Sequence, residues 1–162
     1  MTYLSTVDVI DTVHAFVYRE ARYADEGAYS RWLDLWASED ILYWVSPRED
    51  LDPAREVSFI YDDRAMLEQR VARWNSGFAW AQIPRSLTSR IVGNVEIDET
   101  SADLIQVRAN VHVVVVRKGS TTFLPERVSY QLRSDGGELR IVQKKVVFLD
   151  GDAPVGNITF VL

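Results

Sequence analysis

Apolar residues recur along this chain in two rhythms, and the rhythm changes near its middle. From about Ser5 to Asp25, Val9, Val13, Phe16, Val17, Ala21 and Ala24 return every three or four residues, which puts them on one face of a helix. Ser5 and Asp8 stand at capping-box spacing, with Asp in place of the usual Glu. Gly27 interrupts this helix. A shorter one is predicted over about Ala28 to Ala37, with Tyr29, Trp32, Leu33 and Trp36 on one stripe. Ile41 to Val45 reads as a strand apolar on both faces. Pro47 to Glu56 is polar, carries two prolines and reads as a loop. Val57 to Tyr61 is a short strand or extended entry. Asp62 or Asp63 then caps a helix from about Arg64 to Asn75, with Leu67, Val71 and Trp74 on its stripe.

From Ser86 onward the period becomes two. Four long strands are predicted, over about Ser86–Ile97, Asp103–Lys118, Thr121–Arg133 and Leu139–Leu149. In the second, Ile105, Val107, Ala109, Val111, Val113 and Val115 share one face, and Gln106, Arg108, Asn110 and His112 share the other. Near Val113 both faces turn apolar, so that end is expected to be covered on both sides. Gly119-Ser120 and Asp135-Gly136-Gly137 fit hairpin turns. Helices followed by a meander of long strands make an α+β fold, with helices on a strongly curved, mostly antiparallel sheet. Such a sheet curls into a cone that either holds a pocket or is filled by side chains.

The chain has 162 residues, the size of one domain over 1–162, and a core of that size needs no disulfide or metal. Its net charge of −6 disfavours nucleic acid and anionic membrane surfaces as partners. The longest apolar run, Val113 to Val116, is far too short to span a bilayer. The start of the chain has no basic stretch followed by an apolar one, so a cytoplasmic protein is expected.

Cysteine is absent, and the histidines are His14 and His112. No thiolate can therefore hold zinc or an iron–sulfur cluster, and a Rieske centre, which needs two Cys and two His, cannot form on this chain. The two histidines have no metal-motif spacing and read as unrelated. There is no G-x-S-x-G elbow, P-loop or G-x-G-x-x-G. A pocket acid–base pair remains open, with Tyr29, Tyr43, Tyr61, Asp34 and His112 as candidates. Glu126 falls in phase with the apolar positions Val128, Tyr130 and Leu132. It either points inward, paired with an Arg, or is solvated where Pro125 breaks the strand. The apolar run Ile158 to Leu162 is expected to pair as a last strand or to be buried against another chain.

Taken in order, Phe16-Val-Tyr-Arg-Glu-Ala-Arg22, Tyr29-Ser-Arg-Trp-Leu33, Ile41-Leu-Tyr-Trp44 and Tyr61-Asp-Asp-Arg64 resemble the opening of ring-hydroxylating dioxygenase β subunits. Ala79-Trp-Ala-Gln-Ile-Pro-Arg-Ser86, Gly93-Asn-Val95, Val146-Val-Phe-Leu-Asp150 and Asn157-Ile-Thr-Phe160 are similar to later blocks of the same family. The family often carries a His where Arg90-Ile-Val-Gly93 stands here. The resemblance implies a cystatin-like cone fold and no catalytic, cofactor-binding or metal-binding residue on this chain. It implies a large α subunit carrying a Rieske [2Fe–2S] cluster and mononuclear iron, in an α3β3 assembly built on a β trimer. Interface residues are expected among Trp32, Trp36, Tyr43, Trp44, Trp80, Arg85, Phe160 and Leu162. The alternative is a stand-alone isomerase, dehydratase or binding protein of the same cone fold, which would need an open cavity with a convergent acid and base.

Overall fold

The computed structural model describes residues 6–77, 83–101, 103–151 and 160–162. Ser5, Trp80 and Ile158 lie outside the described residues. The elements in chain order are α1 (Thr6–Glu26), α2 (Tyr29–Leu33), β1 (Leu42–Ser46), β2 (Ile60–Asp62), α3 (Arg64–Asn75), β3 (Leu87–Thr100), β4 (Ile105–Arg117), β5 (Ser120–Asp135) and β6 (Glu138–Phe148).

The stripe of α1 buries Val13, Phe16, Val17, Ala21 and Ala24, as the helical spacing requires. The helix stops in a Schellman turn. Gly27 takes φ +64°, its N–H donates to the Ala24 carbonyl at 3.2 Å, and the Ala28 N–H donates to the Tyr23 carbonyl at 2.9 Å. The second helix is shorter than its stripe suggests. After Leu33 the backbone leaves the helix to pair with β6: the Ala37 N–H donates to the Ile141 carbonyl at 2.9 Å, and the Ile141 N–H to the Leu35 carbonyl at 2.8 Å. Trp36 stays buried, but on an extended backbone.

The two aspartates before α3 divide their work. Asp63 is the cap, accepting from the Met66 N–H at 2.9 Å. Asp62 is buried and takes the Arg70 guanidinium on both oxygens, at 2.6 and 3.0 Å.

The sheet has six strands in the order β2-β1-β6-β5-β4-β3. All neighbours are antiparallel except β1 and β6, which are parallel. Register shifts break β3 between Gly93 and Glu96 and again between Ile97 and Glu99, and another falls at Gln131/Leu132. Such bulges sharpen local twist and let a long sheet curl. The concave face carries Val107, Val111, Val113, Val128, Tyr130, Leu132, Ile141 and Val146 into one core with the helices. The opposite face of β4 is not covered as its apolar end suggests. Val114 is half-buried, and Val116 is 40% exposed.

Replacing Asp63 by Ala leaves the first-turn N–H groups of α3 short of an acceptor. Urea unfolding should show a loss of about 1 kcal/mol with an unchanged slope. No loss of stability would mean that solvent caps this helix equally well.

Candidate functional site

Three candidate interface residues, Trp32, Trp36 and Tyr43, are placed inside the cone. Their exposures are 0%, 3% and 0%, and their rings stack edge to face at 5.4 to 5.6 Å. Trp44 is on the outer face, half-buried, with Lys145 4.3 Å above its ring and its Nε1 donating to Ser58 Oγ at 2.9 Å. Arg85 is exposed and lies over the Tyr29 ring at 5.5 Å. Phe160 and Leu162 are buried in the core of this same chain.

The pocket candidates do not converge. Tyr61 is exposed on the outer face, His112 is exposed against Phe123 at 5.2 Å, and Asp34 follows α2 at the surface. His14 sits on the helix side of the sheet, 3.3 Å from the Val95 carbonyl, whereas His112 is on the far side. Among the described residues no three His, Asp or Glu side chains gather as metal ligands.

What does converge is an interior polar cluster. Glu20 lies on the apolar stripe of α1, four residues from Phe16 and from Ala24. Its carboxylate accepts from Lys144 Nζ at 2.7 Å, Trp32 Nε1 at 2.6 Å and the Tyr130 hydroxyl at 3.2 Å. Glu20 and Lys144 are 2% and 3% exposed, so this is an ion pair removed from water. It is tolerable because every oxygen of Glu20 has a donor. The bulge at Gln131/Leu132 is what turns Lys144 inward. Val142 is skipped in the pairing, so Lys144, not Gln143, shares the buried face with Leu139 and Ile141. Next to it, Tyr43 is held by the closing segment: its hydroxyl donates to the Leu162 backbone oxygen and accepts from the Leu162 N–H, both at 3.0 Å. Burial raises the Tyr43 and Tyr130 phenols well above their ordinary range, so both remain neutral donors.

Glu126 points inward, because β5 continues through Pro125 and pairs Glu126 with Phe148 on the concave side. It is 2% exposed, and its Oε1 meets no hydrogen-bond partner among the described residues. No Arg pairs with it among the described residues: Arg90, which lies nearby, engages Asp25 and the Val161 carbonyl. Burial pushes the Glu126 carboxyl up to about 7, opposed by the nearby charges of Arg90 and Lys144.

The convex face is different in kind. Leu87, Ile91, Val116 and Phe123 are 67%, 69%, 40% and 56% exposed. The register sets them side by side: Leu87 opposite Val116, Ile91 opposite His112 and Phe123 opposite Val114. Beyond them the same face carries an open groove of about 400 Å³ lined by Glu96, Asp98, Arg108, Arg127 and Lys145. The sequence pattern marks this end of β4 as apolar on both faces, but none of the interface candidates lies in the patch. Its signal was the apolar residues at Val114 and Val116, on the otherwise polar face of their strand.

The family model described as "Ring hydroxylating beta subunit" matches residues 19–152. The chain belongs to this family. It is 34% identical to the 2-halobenzoate 1,2-dioxygenase small subunit of Burkholderia cepacia, over 88% of this chain and 87% of that protein. It is 33% identical to the small oxygenase component of the p-cumate 2,3-dioxygenase system of Pseudomonas putida, over 93% and 85%. Among solved structures it resembles the β subunit of the benzoate 1,2-dioxygenase of Burkholderia mallei, with TM-score 0.77, 30% identity and coverage of 99% and 100% of the two chains.

The raised carboxyl of this ring-hydroxylating β-subunit homologue sets a pH dependence. Between its unfolded value of about 4.5 and its folded value of about 7, the folded chain keeps the Glu126 proton that the unfolded chain releases. Stability therefore falls across that window, by on the order of 3 kcal/mol, and levels off above it. Denaturation of Glu126→Gln, measured against the wild type from pH 4.5 to 8, should remove this fall. Parallel curves for the two proteins would refute an inward, protonated Glu126.

Proposed function

We propose that this chain is the non-catalytic small subunit of an aromatic-ring-hydroxylating dioxygenase and supports the large subunit that performs the chemistry in the breakdown of aromatic compounds. The observation that carries the reading is the family match, which runs from α1 to just past β6. The donor set agrees with it. A Rieske [2Fe–2S] cluster and a mononuclear iron do not fit this chain, which has no Cys and carries its two His on opposite sides of the sheet. Those groups belong to the partner α subunit. The assembly is α3β3 with a trimer of small subunits, in the cytoplasm. No helix of the described residues is long and apolar enough to cross a membrane.

The stand-alone enzyme reading needs an open cone with a convergent acid and base, and among the described residues the buried polar cluster offers no such space. The gap beside Glu20, Glu126, Lys144 and Leu162 holds about 210 Å³ of space between atoms, none of it wide enough for a water molecule.

Partner contact belongs on the convex face, where Leu87, Ile91, Val116 and Phe123 form a contiguous apolar patch beside charges of both signs. Arg85 and Trp44 stand on exposed or half-buried surface and remain candidates for the same role.

Co-expression with a large subunit from the same source tests this. Wild-type chain should co-purify with it and show no turnover of an arene alone. Ile91→Glu/Phe123→Glu should keep its circular dichroism and unfolding midpoint while losing most of the co-purified partner. Turnover by the isolated small chain, together with failure to co-purify, would overturn the reading.

A further inference from the structure

Three cations line the open groove on the convex face, and this chain neutralises two of them. Arg108 is held between Glu96 and Asp98, at 2.7 and 3.1 Å. Lys145 Nζ donates to the Glu49 carboxylate at 3.3 Å and to the Glu49 carbonyl at 2.9 Å. Arg127 stands exposed in the middle of β5, and among the described residues no carboxylate or other acceptor meets its guanidinium. Asn110 lies directly opposite it on β4, and Ser129 is the next residue of β5 on the same face. Their side chains also line the groove and also lack a partner among the described residues. Water serves all three while the face is open.

The apolar patch begins one row away. Phe123, Pro125 and Arg127 alternate onto the same face of β5, and Ile91 stands opposite His112, which stands opposite Pro125. Residues two apart on a strand are separated by about 7 Å. A stable interface covers about 800 Å² on each partner, more than the four part-exposed side chains of the patch supply. A chain seated on the patch therefore reaches over the row of Arg127 and takes its water away. A charge buried without a counter-ion is strongly unfavourable. Arg108 and Lys145 carry their counter-charges into such a contact. Arg127 brings none, so its counter-charge has to come from the other side.

We propose that Arg127 is the docking point for a carboxylate side chain, Asp or Glu, that the large subunit presents among apolar residues. This rests on the reading that the convex face meets that subunit, and it names the chemistry required there. The planar guanidinium matches a carboxylate through two parallel hydrogen bonds, and Asn110 and Ser129 supply further donors beside it.

A competition during assembly tests the proposal. Wild-type chain and a variant of different mass are co-expressed in excess over the large subunit, and intact-mass analysis of the purified complex reads the ratio incorporated. Arg127→Met removes the charge from an exposed, unpaired side chain, so its unfolding midpoint should match that of the wild type. It should enter the complex about tenfold less often or worse, because it leaves the partner's carboxylate covered and unpaired. Arg127→Lys restores the charge without the two-pronged geometry and should recover part of the loss. Arg127→Glu should be excluded. Incorporation of Arg127→Met at the wild-type level overturns the proposal. So does a loss that Arg127→Lys does not reduce, since the partner then reads the shape of the side chain and not its charge. Ile91→Glu/Phe123→Glu in the same competition separates the two claims. Its exclusion, with free entry of Arg127→Met, keeps the docking face and removes the carboxylate. Its incorporation at the wild-type level removes both.

Discussion

The architecture turns on the ion pair between Glu20 and Lys144. Two charges taken out of water cost several kcal/mol each unless the surroundings restore their hydrogen bonds. Here the restoring groups come from four other places in the fold: Trp32 from α2, Tyr130 from β5, the Leu162 backbone oxygen, and through that oxygen Tyr43 from β1. Tyr130 alone serves Glu20 Oε2, so its loss leaves a buried carboxylate oxygen without a donor. The pair therefore demands that α1, α2, three strands and the closing segment meet at one point. Nonspecific apolar packing alone would not impose that.

Once that point is fixed, the interior has little left to offer a substrate. The rings of Trp32, Trp36 and Tyr43 pack edge to face in the core, and Phe160–Leu162 belong to the same buried cluster. The neutral phenols serve cohesion, Tyr130 on Glu20 and Tyr43 on Leu162. The convex face has the opposite character, with apolar side chains left to solvent and charges gathered in an open groove. A domain with a packed aromatic core and an apolar, exposed convex face is arranged to support another chain. That is the division of labour expected of a ring-hydroxylating β-subunit relative.

Much of this was legible in the sequence, and the exceptions have identifiable causes. The period-two run from Ile105 to Val115 located a strand and its buried face, and the α3 stripe located a helix to the residue. The extent of α2 was missed because Leu35 to Ala37 obey pairing to Ile141, a long-range contact that local periodicity cannot show. Lys144 was missed because a bulge shifts the phase of β6 by one residue, and simple alternation would have pointed Gln143 inward. Glu20 was readable, since it sits on the apolar stripe of α1, but a lone acid on a helix is easily taken for a solvated one. The aromatics chosen for partner contact were chosen on residue type. Type does not distinguish a core Trp from an interface Trp; the face it occupies does.

The central claim is that this chain is one part of a larger particle and makes its contribution through its outer surface. Native mass spectrometry of the chain purified together with its large subunit tests it most directly. The account predicts a single assembly holding three copies of each chain, which releases small-subunit trimers on mild dissociation. A free monomer, with no large subunit bound at micromolar concentration, would contradict it.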